Sequence, residues 1–221
     1  MPGVLRIARR EPSAILLAAQ LASLLLYPFL ENGQVGRALF SVVGIAILGL
    51  VVLAVRSTPG LTGVALLLGA PATVLLLIQA ATGSDALLPY SSALESVLYL
   101  YAAGALIAYM VADHEITRDE LYAVGATFTL VAWAFAHAYT VVQAIEPGSY
   151  TAAVAPAHQR SWMELLFLSF TTLTSTGLSD VIPIKPFARG LSMIEQLAGL
   201  GYVAVLVSRL VGLTVRGARA D

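Results

Sequence analysis

Long apolar stretches alternate with short polar breaks along this chain. Ser13–Leu30 is the first stretch, with Pro28 near its end, and Val35–Val55 is the second, closed by Arg56-Ser-Thr-Pro-Gly60. Leu61–Ala81 is the third. A bend is predicted near Gly69 and Pro71, because proline removes a helix hydrogen bond. Ser92-Ala-Leu-Glu95 reads as a capping box that starts a fourth stretch to about Met110. Thr117-Arg-Asp-Glu120 reads as another, starting a fifth to about Ala144, with Glu146-Pro-Gly-Ser149 as its stop. Phe187–Val215 is the sixth. Runs of about 18 or more apolar residues are long enough to cross a bilayer as helices. The basic start Arg6, Arg9 and Arg10 before an apolar run also fits a signal peptide. No small-residue cleavage site follows and a second apolar run comes at once, which favours retained spans.

Between the fifth and sixth stretches the pattern changes. After a mixed loop from Tyr150 to Arg160, Ser161-Trp-Met-Glu164 forms a third capping-box pattern. It opens an apolar helix predicted from Trp162 to Thr174, roughly 20 Å long at the α-helical rise and too short to span. The polar loop Thr174-Ser175-Thr176-Gly177-Leu178-Ser179-Asp180 follows, and Pro183 and Pro186 bracket the exit. Pro186 suits the first position of the last helix. Irregular backbone at membrane depth survives only when enclosed in protein or lining water. One loop per chain cannot enclose itself, so a closed cyclic oligomer is expected.

Composition agrees. The chain has 221 residues, 58% hydrophobic and 11% charged, against about 25% charged in a typical soluble domain. Mean hydropathy is +0.85. A net charge of −1 gives no global field for nucleic acid, and the absence of cysteine removes disulfides and thiolate metal sites. By the positive-inside rule, Arg6, Arg9, Arg10, Arg56, Arg118, Arg209, Arg216 and Arg219 lie on the cytoplasmic side. Arg37, Arg160, Lys185 and Arg189 lie outside. Both termini are then cytoplasmic, and the short helix and loop enter from the outer face.

This layout resembles the pore of the tetrameric potassium-channel superfamily, strongly over Trp162 to Leu213 and more loosely over Glu115 to Tyr150. Thr171-Thr-Leu-Thr174 looks like the end of the family's pore helix. Ser175 stands where the family has its innermost filter threonine, and Gly177 matches the first filter glycine. Asp180 matches the aspartate outside the filter. Pro183, Arg189 and the segment Leu191 to Tyr202 fit the inner helix, with Gly199 at the hinge position. Thr176 replaces valine, Leu178 replaces tyrosine and Ser179 replaces the second glycine. Phe167 stands where many relatives carry tryptophan, so it offers Asp180 no donor. The second glycine's backbone region costs an L-residue about 1 kcal/mol or more, so Ser179 bears that strain or the carbonyl above it turns. Inner ion sites from Ser175, Thr176 and Gly177 are expected to persist, and outer ones to be poorly held.

The resemblance implies an all-α integral membrane protein. It would have six transmembrane helices and a re-entrant pore helix and filter loop between helices five and six. Residues 1–114 would resemble a voltage-sensor scaffold, and 115–221 would form the pore domain. Leu94 to Met110 carries no Arg or Lys, so gating charge is absent and voltage dependence should be weak. The implied function is a homotetrameric, multi-pass channel of the cell membrane passing a monovalent cation, potassium or sodium, with no cofactor and no partner beyond itself and lipid. The alternative is a non-conducting structural or regulatory subunit.

Other residues carry less specific signals. Glu164 is read as completing the cap at Ser161. Glu195, an acid inside the last span, is read as supporting the pore helix near Thr171 or Thr172 rather than touching an ion. His137 near Trp133 is read as a neutral packing histidine, with pH sensing as the alternative. Asp113-His114-Glu115 has no second histidine at helical spacing, so a solvated turn is favoured over metal binding. Arg209, Arg216 and Arg219 fit positive-inside anchoring or contact with anionic lipid. Val203, Val207 and Leu210 are packing positions or a dewetting constriction. Ser179 lacks a Gly-x-Ser-Gly context, and no enzyme is expected.

Overall fold

A computed structural model of the chain describes residues 11–30, 33–56, 58, 60–112 and 117–220, without the side chains of 28, 30, 33–41, 210 and 212–220. The basic tail and Asp113-His114-Glu115 lie outside the described residues. The helices are α1 (Pro12–Leu30), α2 (Gly33–Arg56), α3 (Thr62–Thr82), α4 (Leu88–Met110), α5 (Arg118–Ile145), α6 (Trp162–Leu173) and α7 (Pro186–Ala220). Strands β1 (Tyr150–Ala152) and β2 (Val181–Pro183) flank α6 in sequence. Among the described residues, four segments are long and apolar enough to cross a bilayer: Thr62–Thr82, Asp85–Met110, Arg118–Ile145 and Pro186–Arg209. Pro12–Tyr27 and Val42–Arg56 are shorter apolar helical segments among the described residues.

Several helix ends have identifiable chemistry. Helix α3 runs through Pro71 and closes on Gly83, whose left-handed φ of 64° lets its N–H reach the Gln79 carbonyl at 2.8 Å. The expected cap at Ser92 is not the start of α4. A short 3₁₀ turn at Asp85–Leu87, capped by Ser84, leads into a helix that begins at Leu88. Ser92 and Glu95 are instead buried on the helix body, where Ser92 is 0% exposed. Thr117 does cap α5, its hydroxyl accepting from the Glu120 N–H at 3.2 Å.

The chain divides into two compact units, 1–110 with 116–134, and 111–115 with 135–221. In the first, α1 to α4 pack in sequence and α2 also meets α4. The N-terminal part of α5 holds α1 there. Asp119 accepts both the N–H and the hydroxyl of Ser13, at 3.0 and 2.9 Å, and so occupies the positive end of α1. Gly125 lets Leu17 approach; a Cβ at that position would lie 2.9 Å from the leucine side chain.

The second unit contains the rest of α5, the two strands, α6 and α7. Antiparallel pairing sets Tyr150 against Pro183, Thr151 against Ile182 and Ala152 against Val181. Sequence alone reads both of these segments as loop. The pairing brings the two ends of the α6 excursion together, so α6 and its loop leave from and return to one place.

Candidate functional site

The short helix is positioned first at its N-terminus. Ser161 accepts the Glu164 N–H at 3.3 Å, and Glu164 accepts the Ser161 N–H at 2.6 Å, a complete capping box. Arg160 braces this end. Its buried guanidinium bonds Glu164 at 3.2 Å and the carbonyls of Ala155 and His158 at 2.5 Å each, while Gln143 on α5 exchanges two bonds with its backbone at 2.8 and 3.0 Å. Sequence reading placed Arg160 among outside charges and missed this role. His137 packs against Trp162, the first residue of α6, with ring centroids 5.7 Å apart and the rings tilted by 49°.

At the other end the chain turns sharply. Helix α6 ends at Leu173, one residue before the predicted end, with Thr174 as its C-cap. The N–H groups of Ser175, Thr176 and Gly177 all turn back to the helix: Ser175 to the Thr172 carbonyl at 3.0 Å, Thr176 and Gly177 to the Thr171 carbonyl at 3.0 and 3.3 Å. No peptide bond here is cis, and in a planar trans peptide the C=O points opposite to the N–H that follows it. The carbonyls of Thr174, Ser175 and Thr176 therefore point away from α6. All three residues are exposed in the single chain. The negative end of the α6 dipole faces the same loop, which favours a cation there.

Left-handed backbone makes this turn possible. Ser175 has φ 57° and Gly177 has φ 66°, with Thr176 between them outside that region. Ser179 does not have a positive φ. Of the two outcomes expected for the missing second glycine, strain at Ser179 does not occur, and the alternation stops there. The non-glycine strain sits at Ser175 instead. The Ser179 hydroxyl accepts the Val181 N–H at 3.1 Å and leads the chain into β2. Leu178 is 76% exposed, and Asp180 is exposed. Phe167 is exposed as well in the single chain.

The inner helix grips the short one at two points. Glu195 is 0% exposed and accepts the Ser169 hydroxyl of α6 and the Tyr139 hydroxyl of α5. It supports the short helix, but through Ser169 rather than Thr171 or Thr172. Four residues further along both helices, Gly199 meets Leu173. A Cβ on Gly199 would stand 2.0 Å from the Leu173 carbonyl oxygen. Gly199 is thus a contact glycine inside an unbroken helix. Tyr139 also reaches the Ser192 hydroxyl at 3.2 Å. Tyr150 on β1 packs edge-on against Tyr139, with centroids 5.4 Å apart. Burial, reinforced by the nearby Glu195 carboxylate, raises the Tyr150 phenol above its ordinary range, so it stays protonated.

Residues 127–216, which include the short helix, the loop and most of the last helix, match a protein-family model described as an ion channel. No curated protein and no solved structure matches the chain. Over the matched stretch the chain is similar to ion channels, and its long apolar helices suit a membrane protein. Among the described residues no cluster of three or more His, Cys, Asp or Glu could hold a metal ion.

Proposed function

We propose that the protein is a homotetrameric cation channel of the cell membrane. It has six spans per chain, both termini cytoplasmic, and a re-entrant pore helix α6 followed by the filter Thr174–Asp180. The permeant ion is a monovalent cation, potassium or sodium. The observation that carries this reading is the run of outward carbonyls at Thr174, Ser175 and Thr176. Three peptide oxygens on one chain are too few to replace an ion's water shell, and copies around an axis supply the rest. The same symmetry would enclose the exposed loop, which lipid would not tolerate bare. The α6 dipole adds a favourable field at the inner sites. Residues 1–114 would form a four-helix scaffold without gating charge, and 115–221 the pore domain.

The test is current across planar bilayers containing purified protein, in potassium, sodium, rubidium and caesium. Cation current supports the proposal. Silence in all four ions refutes a working pore. A second reading, a non-conducting channel-like subunit, draws on the end of the backbone alternation at Ser179 and on exposed Leu178. It predicts silence in the native protein and current in the double variant Leu178→Tyr, Ser179→Gly.

A further inference from the structure

We propose that Glu195 is a proton-binding site behind the pore helix, and that its protonation regulates the conduction proposed above, on which this regulatory part rests. Glu195 lies wholly inside the protein, and both carboxyl oxygens accept hydroxyl groups, from Ser169 of α6 and Tyr139 of α5. Among the described residues no Lys or Arg pairs with it. Among the described residues the titratable groups near it are Tyr139 on α5 and Tyr150 on β1. Helix α6 offers the Ser169 hydroxyl, and α7 offers Ser192 beside Tyr139. A buried carboxylate held only by neutral donors lacks the counter-charge that would keep it ionised at all pH values. Gaining or losing a proton is the change open to this cluster.

The surroundings contain what such a change needs. Tyr139 has a single proton and a second acceptor at hand, because Ser192 gives its own proton to the Ala188 carbonyl at 3.1 Å and accepts from Tyr139 at 3.2 Å. The hydroxyl of Tyr150, a residue 2% exposed, has no hydrogen-bond partner among the described residues. Buried polar atoms are rarely left so. A water beside it would supply the partner it lacks.

The consequence reaches the loop by a short path. Ser169 lies two residues before Thr171, whose carbonyl holds the N–H groups of Thr176 and Gly177. A hydrogen bond to a carboxylate is about twice as strong as one between neutral groups. Protonation therefore weakens the Ser169 clamp, while the Gly199–Leu173 contact one turn away still fixes the far end of α6. The short helix gains freedom at the point that sets the filter carbonyls.

The experiment uses full-length protein in liposomes, with cation flux and thermal unfolding both measured from acid to alkaline pH for the wild type, Glu195→Gln and Tyr139→Phe. The wild type should show one single-proton transition in both readouts, with flux differing on the order of tenfold between its limbs, as is typical of coupled sites. Glu195→Gln should abolish that transition, and Tyr139→Phe should move its midpoint. A transition that persists unchanged in Glu195→Gln overturns the proposal. If Glu195→Gln does not fold, Tyr139→Phe decides: a moved midpoint supports the site and an unmoved one overturns it. If no protein conducts, the unfolding profile still reports on the proton site, so loss of the channel reading and loss of this site remain distinct results.

Discussion

Replacing Gly199 by alanine separates a contact glycine from a hinge glycine. The new Cβ would stand 2.0 Å from the Leu173 carbonyl oxygen, 2.9 Å from its carbon and 3.2 Å from its Cα. An ordinary C···O contact is at about 3.3 Å, so the two backbones must separate by roughly 1.3 Å. These are backbone atoms and cannot rotate aside as a side chain would. Overpacking of this kind costs about 3 kcal/mol. Alanine's better helix propensity returns about 1 kcal/mol, which leaves a net loss of about 2 kcal/mol. For a chain of this size that lowers the melting temperature by about 4–8 °C. Gly201→Ala is the matched control, since a Cβ there meets nothing within 4 Å. Melting curves of both variants in one detergent, with flux from liposomes, make the comparison. Gly199→Ala should melt lower and conduct less, and Gly201→Ala should melt at or above the wild type. A Gly199→Ala protein that melts with the wild type and differs only in gating kinetics would refute the contact and favour the hinge.

Other expectations concern the two ends of α6. Ser161→Ala removes one half of the capping box and should cost about 1 kcal/mol, read as a lower melting temperature. Gly177→Ala should cost about 1–2 kcal/mol from left-handed backbone alone, because a Cβ there has open space; stability is measured by thermal melting and ion selectivity by reversal potentials. Arg160→Ala leaves the carbonyls of Ala155 and His158 without their shared donor, and faster amide hydrogen exchange over 153–160 is the expected result.

The positions of the long helices were legible in the sequence because burial in lipid imposes one crude requirement, a long run without charge. Local rules also sufficed where both partners lie within a few residues. The cap at Ser161 with Glu164 is written in four consecutive residues, and so is Pro186 at the head of α7. The same rule misled at Ser92, where the pattern fits a cap but the helix had already begun at Leu88. A four-residue pattern carries no information about the turn before it.

What tertiary structure decided is what joins residues far apart in the chain. The β1–β2 pairing is too short to show a periodicity, and it forms only because α6 returns the chain to where it left. Glu195 was recognisable as an acid that needs partners, yet Ser169 and Tyr139 become its partners only through the packing of three helices. Ser179 looked like the strained residue by comparison with a glycine. The strain falls on Ser175, because the Thr171 and Thr172 carbonyls capture the following N–H groups. A sequence records which residues can bond and where helices can run; the meeting of one helix's carbonyl with another's glycine depends on distances that only the packed fold sets.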